Sequence, residues 1–214
     1  MPHDDEQLFR ILGFDSVNER FSPSEGFMVD TNATLATRMR GNGFDSELFF
    51  ATLARQPVRN VPLADISKLF ETVRQAGLKV GVLTSDDRDS TEQFLSEEGV
   101  SADAVVCGDD GRGMKPAAKP LLSIAADMNV APNAIMMVGD SLHDVDCAKA
   151  AGATAVGVLT GVAGKGILVG SADWVIGSVV EIDAAFLQHL NMRADFLNSK
   201  TFEMLTKSGM FEKH

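Results

Sequence analysis

Short apolar runs alternate with helix-period stripes along most of this chain. The runs are Gly26–Asp30, Leu78–Thr84, Ala104–Cys107, Ala134–Gly139, Thr154–Leu159 and Trp174–Ile176. Their length, their β-branched content and the Gly and Asp residues that bound them predict buried strands. Amphipathic segments lie between. Leu63–Ala76 places Leu63, Ile66, Leu69, Phe70 and Val73 on one helix face, and Gly77 follows where a helix end needs a left-handed residue. Ser90–Glu98, Ala117–Met128 and Asp144–Ala151 predict further helices, with Gly99 and Gly152 closing the first and the last. Strand and helix in alternation over residues 26–180 predict an α/β fold built on a doubly wound parallel sheet.

The flanks read differently. Residues 1–25 predict a helical lead-in, with Leu8, Ile11 and Leu12 on one face. Residues 181–214 predict a helical extension striped by Phe186, Leu187 and Leu190. Inside the core, residues 36–62 predict a reduced flap. The run Arg38-Met-Arg-Gly-Asn-Gly43 has the turn chemistry of a small hairpin, and Glu47–Ala54 suits one short helix.

Composition narrows the function classes. Of 214 residues, 45% are apolar, enough for one sizeable core. A formal net charge of −11 disfavours nucleic acid and anionic membrane surfaces as partners. An acidic protein that binds a phosphate ester needs a local cation, usually a metal ion with a Lys. The two cysteines, Cys107 and Cys147, lack metal-ligand spacing and are expected as reduced thiols. No apolar run reaches the ~18–20 residues that span a bilayer. The acidic start of the chain does not read as a signal peptide, so a cytoplasmic location is expected.

Ligands of open α/β sheets bind at the carboxyl ends of the strands. There the sequence places Asp30-Thr-Asn-Ala-Thr34, then Thr84-Ser85, then Lys115-Pro116, then Gly139-Asp140-Ser-Leu-His-Asp144. Carboxylates, an amine and hydroxyls converge on one rim. The chain resembles the haloacid dehalogenase-like superfamily, in the branch similar to phosphoglycolate phosphatases. Asp30-Thr-Asn-Ala-Thr-Leu35, Val82-Leu-Thr-Ser85, Lys115-Pro-Ala-Ala-Lys-Pro120 and Val138-Gly-Asp-Ser-Leu-His-Asp144 stand in the family's order over residues 26–180.

That resemblance implies a Rossmann-like core and a Mg²⁺-dependent phosphohydrolase. Asp30 would attack phosphorus and form an aspartyl-phosphate. Asp30, the backbone carbonyl of Asn32 and Asp140 would hold Mg²⁺, with Asp144 acting through water or orienting the site. Thr84, Ser85 and Lys115 would bind the phosphoryl group, helped by backbone N–H groups near residues 31–33 and 85.

Two departures stand out. The family's acid–base Asp is Asn32 here, and its Gly is Ala33. An amide has no titratable proton, and general acid–base catalysis is worth ~10²–10⁴-fold. A slow enzyme, another acid–base group such as His143, a catalytically silent phosphate-binding or regulatory module, and a phosphoryl transferase all remain open. The second departure is size. About 27 residues separate Leu35 from Leu63, too few for a full helical cap. An open site points to a phosphoprotein or other macromolecular substrate, or to a homo-oligomer or partner covering it, ahead of a small phosphorylated molecule. Asp86, Asp87 and Asp89 read as a solvated turn and helix start. The glycine-rich run Gly161–Gly166 lacks the Lys-Ser/Thr ending of a phosphate loop and is discounted.

Overall fold

The chain opens with α1 (Asp5–Leu12), which puts Leu8, Ile11 and Leu12 on its apolar face as predicted. This computed structural model describes residues 5–18, 20–22, 26, 30, 32–53, 55, 62–161 and 163–189. Gly13, at φ 68°, turns the chain into a short antiparallel hairpin of β1 (Phe14–Asp15) and β2 (Arg20–Phe21).

Next come α2 (Asn32–Gly41) and α3 (Ser46–Leu53). The run Arg38–Gly43 is not the predicted hairpin. Leu35 and Met39, spaced i,i+4, bury together against Ile11 and Phe44 only if the chain stays helical. The Gly-Asn-Gly chemistry serves as a helix stop instead. Gly43 takes φ 81°, its N–H donates to the Arg40 carbonyl, and the Phe44 N–H donates to Met39, the paired bonds of a Schellman closure. With Phe49 and Phe50, these helices form a small core of their own.

The α/β part follows in alternation: α4 (Ile66–Gln75), β3 (Gly81–Leu83), α5 (Arg88–Glu97), β4 (Ala104–Val106), α6 (Lys119–Asp127), β5 (Met136–Gly139), α7 (Leu142–Ala151), β6 (Thr154–Val158), α8 (Lys165–Ser171) and β7 (Trp174–Ile176). Asp65 starts α4 by accepting the Lys68 N–H at 2.9 Å. Residues 184–189 are helical, while Leu190 and the rest of the predicted C-terminal extension lie outside the described residues.

Every pairing among β3–β7 is parallel, as predicted. Among the described residues these strands form a 2-stranded sheet, β3-β4, and a 3-stranded sheet, β5-β6-β7, rather than one. A shared core joins them. Leu83 of β3 and Ile135 pack both into the cluster of Val106, Ile124 and Met128 and into that of Leu121, Met137 and Val145. Helix α6 contributes Leu121 to one cluster and Ile124 to the other, so it ties the sheets together.

The predicted first strand, Gly26–Asp30, falls mainly on residues 27–29, which lie outside the described residues. The Asp30 N–H donates to the Gly26 carbonyl at 2.9 Å. Gly26 takes φ 95°, and a Cβ there would come 2.3 Å from the Leu12 carbonyl oxygen. Gly26 thus lies against the Leu12–Gly13 backbone.

Candidate active site

A dense network of side-chain hydrogen bonds stands where β5 ends and α7 begins. Ser141 is the N-cap of α7, and its Oγ accepts the Asp144 N–H at 3.3 Å. Asp144 answers through Oδ2, which accepts the Ser141 N–H at 3.1 Å and its hydroxyl at 2.7 Å. This reciprocal capping box leaves Oδ1 for Lys115, whose Nζ stands 2.7 Å away. The two side chains are only 12% and 8% exposed, so the ion pair is largely withdrawn from water. Gly139 makes room for it: a Cβ there would fall 2.3 Å from Cβ and Cγ of Asp144.

Asp140 is turned toward the loop after β6. A Cβ on Gly161 would lie 1.7 Å from its Oδ2, and the Ala163 N–H donates to its carbonyl at 3.1 Å. The discounted glycine run therefore has a role: it lets backbone close over Asp140.

Thr84 and Ser85 follow β3. The Thr84 hydroxyl donates to Asp86 Oδ2 at 3.0 Å and accepts the Asp86 N–H at 3.0 Å, so it is engaged within its own loop. Arg88 fastens that loop to the one after β4. Its Nε and Nη2 grip Asp110 at 2.8 and 2.5 Å, and Nη2 also reaches the Val105 carbonyl at 3.1 Å. The Arg88 guanidinium holds the Asp110 carboxyl below the usual carboxylate range. A depressed folded value stabilises the protein above the unfolded value, near 3.9, and that contribution is lost as pH falls through the folded one. Asp110→Asn is expected to narrow the stability difference between pH 7 and pH 3 in denaturant titrations. An undiminished difference would contradict this.

Cys107 and Cys147 are both free and buried. Burial pushes the Cys147 thiol up to about 11, and it donates to the Ala117 carbonyl at 3.1 Å, which makes it packing rather than a nucleophile.

Asp30 sits at the other edge of the site. Its Oδ2 accepts the Gly26 N–H at 2.6 Å and pairs with Arg38 Nη2 at 2.9 Å. Asn32 donates from Nδ2 to Asp87 Oδ2 at 2.7 Å. Asp87 is the N-cap of α5, in line with the predicted helix start, but its carboxylate makes no cap bond. A cavity of about 500 Å³ opens between α2 and the loop that leads into Lys115, lined by Ala33, Thr34, Thr37, Arg38, Gly108 and Met114. Nδ1 of His143 is buried and unpartnered among the described residues.

Of the predicted site residues, Lys115 and Asp144 are brought together, while Asp30 pairs with Arg38 and Asn32 with Asp87. Among the described residues no three His, Cys, Asp or Glu side chains gather closely enough to hold a metal ion. The hard oxygens of Asp30, Asn32, Asp140 and Asp144 fit Mg²⁺ as a donor set; Asp30 and Asp144 are here engaged by Arg38 and Lys115. Sequence reasoning missed Arg38, Asp87 and Gly161 as parts of the site. For Gly161 a signal was present, a glycine-rich run just after a strand.

A family model described as haloacid dehalogenase-like hydrolase matches residues 50–158. The phosphoglycolate phosphatase of Escherichia coli is 36% identical over 87 residues, which cover 40% of this chain and 34% of that protein. A solved hydrolase from Pseudomonas syringae has a TM-score of 0.59 at 21% identity, covering 90% of this chain and 84% of its own. A HAD phosphatase from Thermococcus onnurineus gives 0.51 at 29% identity over 63% of this chain and 67% of its own. The chain spans less than half the length of the curated relatives it matches. Among the described residues no helix is long and apolar enough to cross a membrane.

Proposed function

Because this chain belongs to the haloacid dehalogenase-like hydrolases, we propose that it hydrolyses phosphate monoesters through Asp30, with Mg²⁺ as cofactor. The observation that supports this most is the buried Lys115–Asp144 pair at the carboxyl ends of the parallel strands, beside Asp140. A desolvated ammonium fixed by a capped carboxylate is a preorganised partner for a phosphoryl group.

In this reading an Asp30 oxygen bonds to phosphorus as the ester P–O bond breaks, and the leaving oxygen takes the electron pair. Water then attacks phosphorus, the P–O bond to Asp30 breaks and its electron pair frees Asp30 as a carboxylate, while the water's protons pass to the inorganic phosphate and to solvent. Lys115 binds a phosphoryl oxygen, Asp144 positions Lys115, and Thr84 and Ser85 offer hydroxyls from the neighbouring loop. Mg²⁺ would be held by Asp30, Asp140 and the Asn32 carbonyl, and when bound it neutralises phosphoryl charge. Asn32 supplies no proton, so leaving groups that depart unprotonated are favoured.

One observation favours a second reading, a catalytically silent phosphate-binding module. Asn32 is engaged as a structural amide on Asp87. Phosphate release from p-nitrophenyl phosphate with Mg²⁺ separates the two. Release by this protein, lost in Asp30→Asn, is expected. Release only after Asn32→Asp would favour the silent module, and release by neither protein would sink hydrolysis.

A further inference from the structure

The loops that follow β3 and β4 carry an inference about how the phosphate site is held in shape, resting on the phosphate-ester reading above. We propose that Arg88 is a positioning residue. By gripping Asp110 it fixes the Thr84–Ser85 loop relative to Lys115, and so sets the gap that a phosphoryl group must bridge.

The topology creates the need for such a clamp. β3 and β4 are parallel neighbours, so the chain leaves both at the same edge. Thr84 and Ser85 follow β3 directly, whereas Lys115 stands well beyond Val106, the end of β4. Gly111 and Gly113, at φ 68° and 96°, bend the loop between. Asp144 holds the Lys115 end of that loop at 2.7 Å. Arg88 holds the other end through Asp110.

Arg88 is poorly placed to serve its own helix. It opens α5, and a cation in the first turn opposes the helix dipole. Its contacts instead reach across to the loop after β4. Nε and Nη2 take both oxygens of Asp110, at 2.8 and 2.5 Å, and the Arg88 N–H donates to Asp109 Oδ1 at 3.0 Å. A planar fork on a carboxylate fixes angle as well as distance. The Asp110 side chain is 12% exposed, so water competes little for it.

The clamp connects to the phosphate-binding groups. Asp110 Oδ2 also accepts the Cys107 N–H at 2.8 Å, and the Gly108 N–H donates to the Asp86 carbonyl at 2.9 Å. Asp86 in turn holds the Thr84 hydroxyl. Contacts therefore run unbroken from Thr84 to the loop that carries Lys115. Asp86 is exposed, and a phosphoryl oxygen can take the Thr84 hydroxyl from it without moving this backbone. The remaining Arg88 contact, to Glu92 Oε1 at 3.0 Å, stays within α5 and links no loops.

Calorimetry with inorganic phosphate and Mg²⁺, below the unfolding transition of each variant, tests this. Arg88→Lys keeps the charge but not the fork, and Asp110→Asn keeps the shape but not the charge. Each is expected to weaken phosphate binding about tenfold, the order of one charge-assisted hydrogen bond lost through misalignment. Glu92→Gln should leave the affinity unchanged. In a background of Thr84→Val with Ser85→Ala, the Arg88→Lys penalty should nearly vanish, because the hydroxyls it aligns are gone. An ion pair of structural value alone would lower stability in urea without moving affinity. Unchanged affinity in Arg88→Lys or Asp110→Asn, an equal loss in Glu92→Gln, or a penalty undiminished in the Thr84→Val, Ser85→Ala background would overturn the clamp while leaving the phosphate site standing. Absence of phosphate binding by the unaltered protein would overturn the phosphate reading and this inference with it.

Discussion

Replacing Asn32 with Asp is expected to raise turnover of an alkyl phosphate by about 10²–10⁴-fold, the usual worth of a general acid–base group. The argument rests on what Asn32 touches. Its amide nitrogen donates to Asp87 Oδ2 at 2.7 Å. A carboxyl group in its place would stand at hydrogen-bond distance from a second carboxylate. Two carboxylates so close share a proton, and the pair gives up its last proton at a higher pH than an isolated carboxyl does. The substitution therefore creates an acid that stays protonated nearer neutral pH. An alkoxide leaves poorly without a proton, whereas p-nitrophenolate leaves readily, so the gain should be much larger for the alkyl phosphate. Activity of the variant should fall as pH rises through the pair's upper apparent pKa. Stability should fall over the same range, because a carboxyl whose folded value is raised loses its favourable contribution as it ionises. Steady-state rates with both substrates across pH check this. An equal gain for the two leaving groups would rule out the acid role.

Much of the α/β part was legible because its signals are local. The stripe of Ile66, Leu69, Phe70 and Val73 and the closing Gly77 sit within one segment, and α4 forms there, starting at Ile66 and leaving the predicted Leu63 outside it and exposed. The parallel strands could be read from short β-branched runs bounded by turns. The reading failed where a distant contact decides. Arg38 looked like part of a turn, because its helix is secured by the burial of Leu35 and Met39 against α1. Asp87 looked solvated, because its partner Asn32 lies 55 residues away in sequence. The family match begins at residue 50, so it covers Thr84, Lys115, Asp140 and Asp144 but not Asp30 or Asn32. The half of the site proposed to bind phosphate thus lies within the family match, and the half proposed to attack it rests on the first motif and on the geometry around Asp30.

That asymmetry makes Lys115 the most informative residue to remove. Lys115→Met is expected to cost about 3–5 kcal/mol of stability, the usual result of stranding one partner of a buried pair. Asp144 would keep the Ser141 N–H and hydroxyl on Oδ2, but Oδ1 would lose the ammonium 2.7 Å away. Because the capping box survives, the loss should fall toward the lower end of that range. A second substitution separates structure from chemistry. In the double variant Lys115→Met with Asp144→Asn, the buried site is neutral and the amide oxygen can still accept from Ser141. Most of the stability should return, since a buried pair often adds little beyond a neutral replacement. Phosphate binding should not return, because no cation faces the phosphoryl position. Urea denaturation and calorimetry with inorganic phosphate measure the two effects independently. A double variant as unstable as the single one would refute the stranded-charge account. Undiminished phosphate affinity in either variant would remove Lys115 from the phosphate site and leave the pair as a purely structural clamp between the loop after β4 and helix α7.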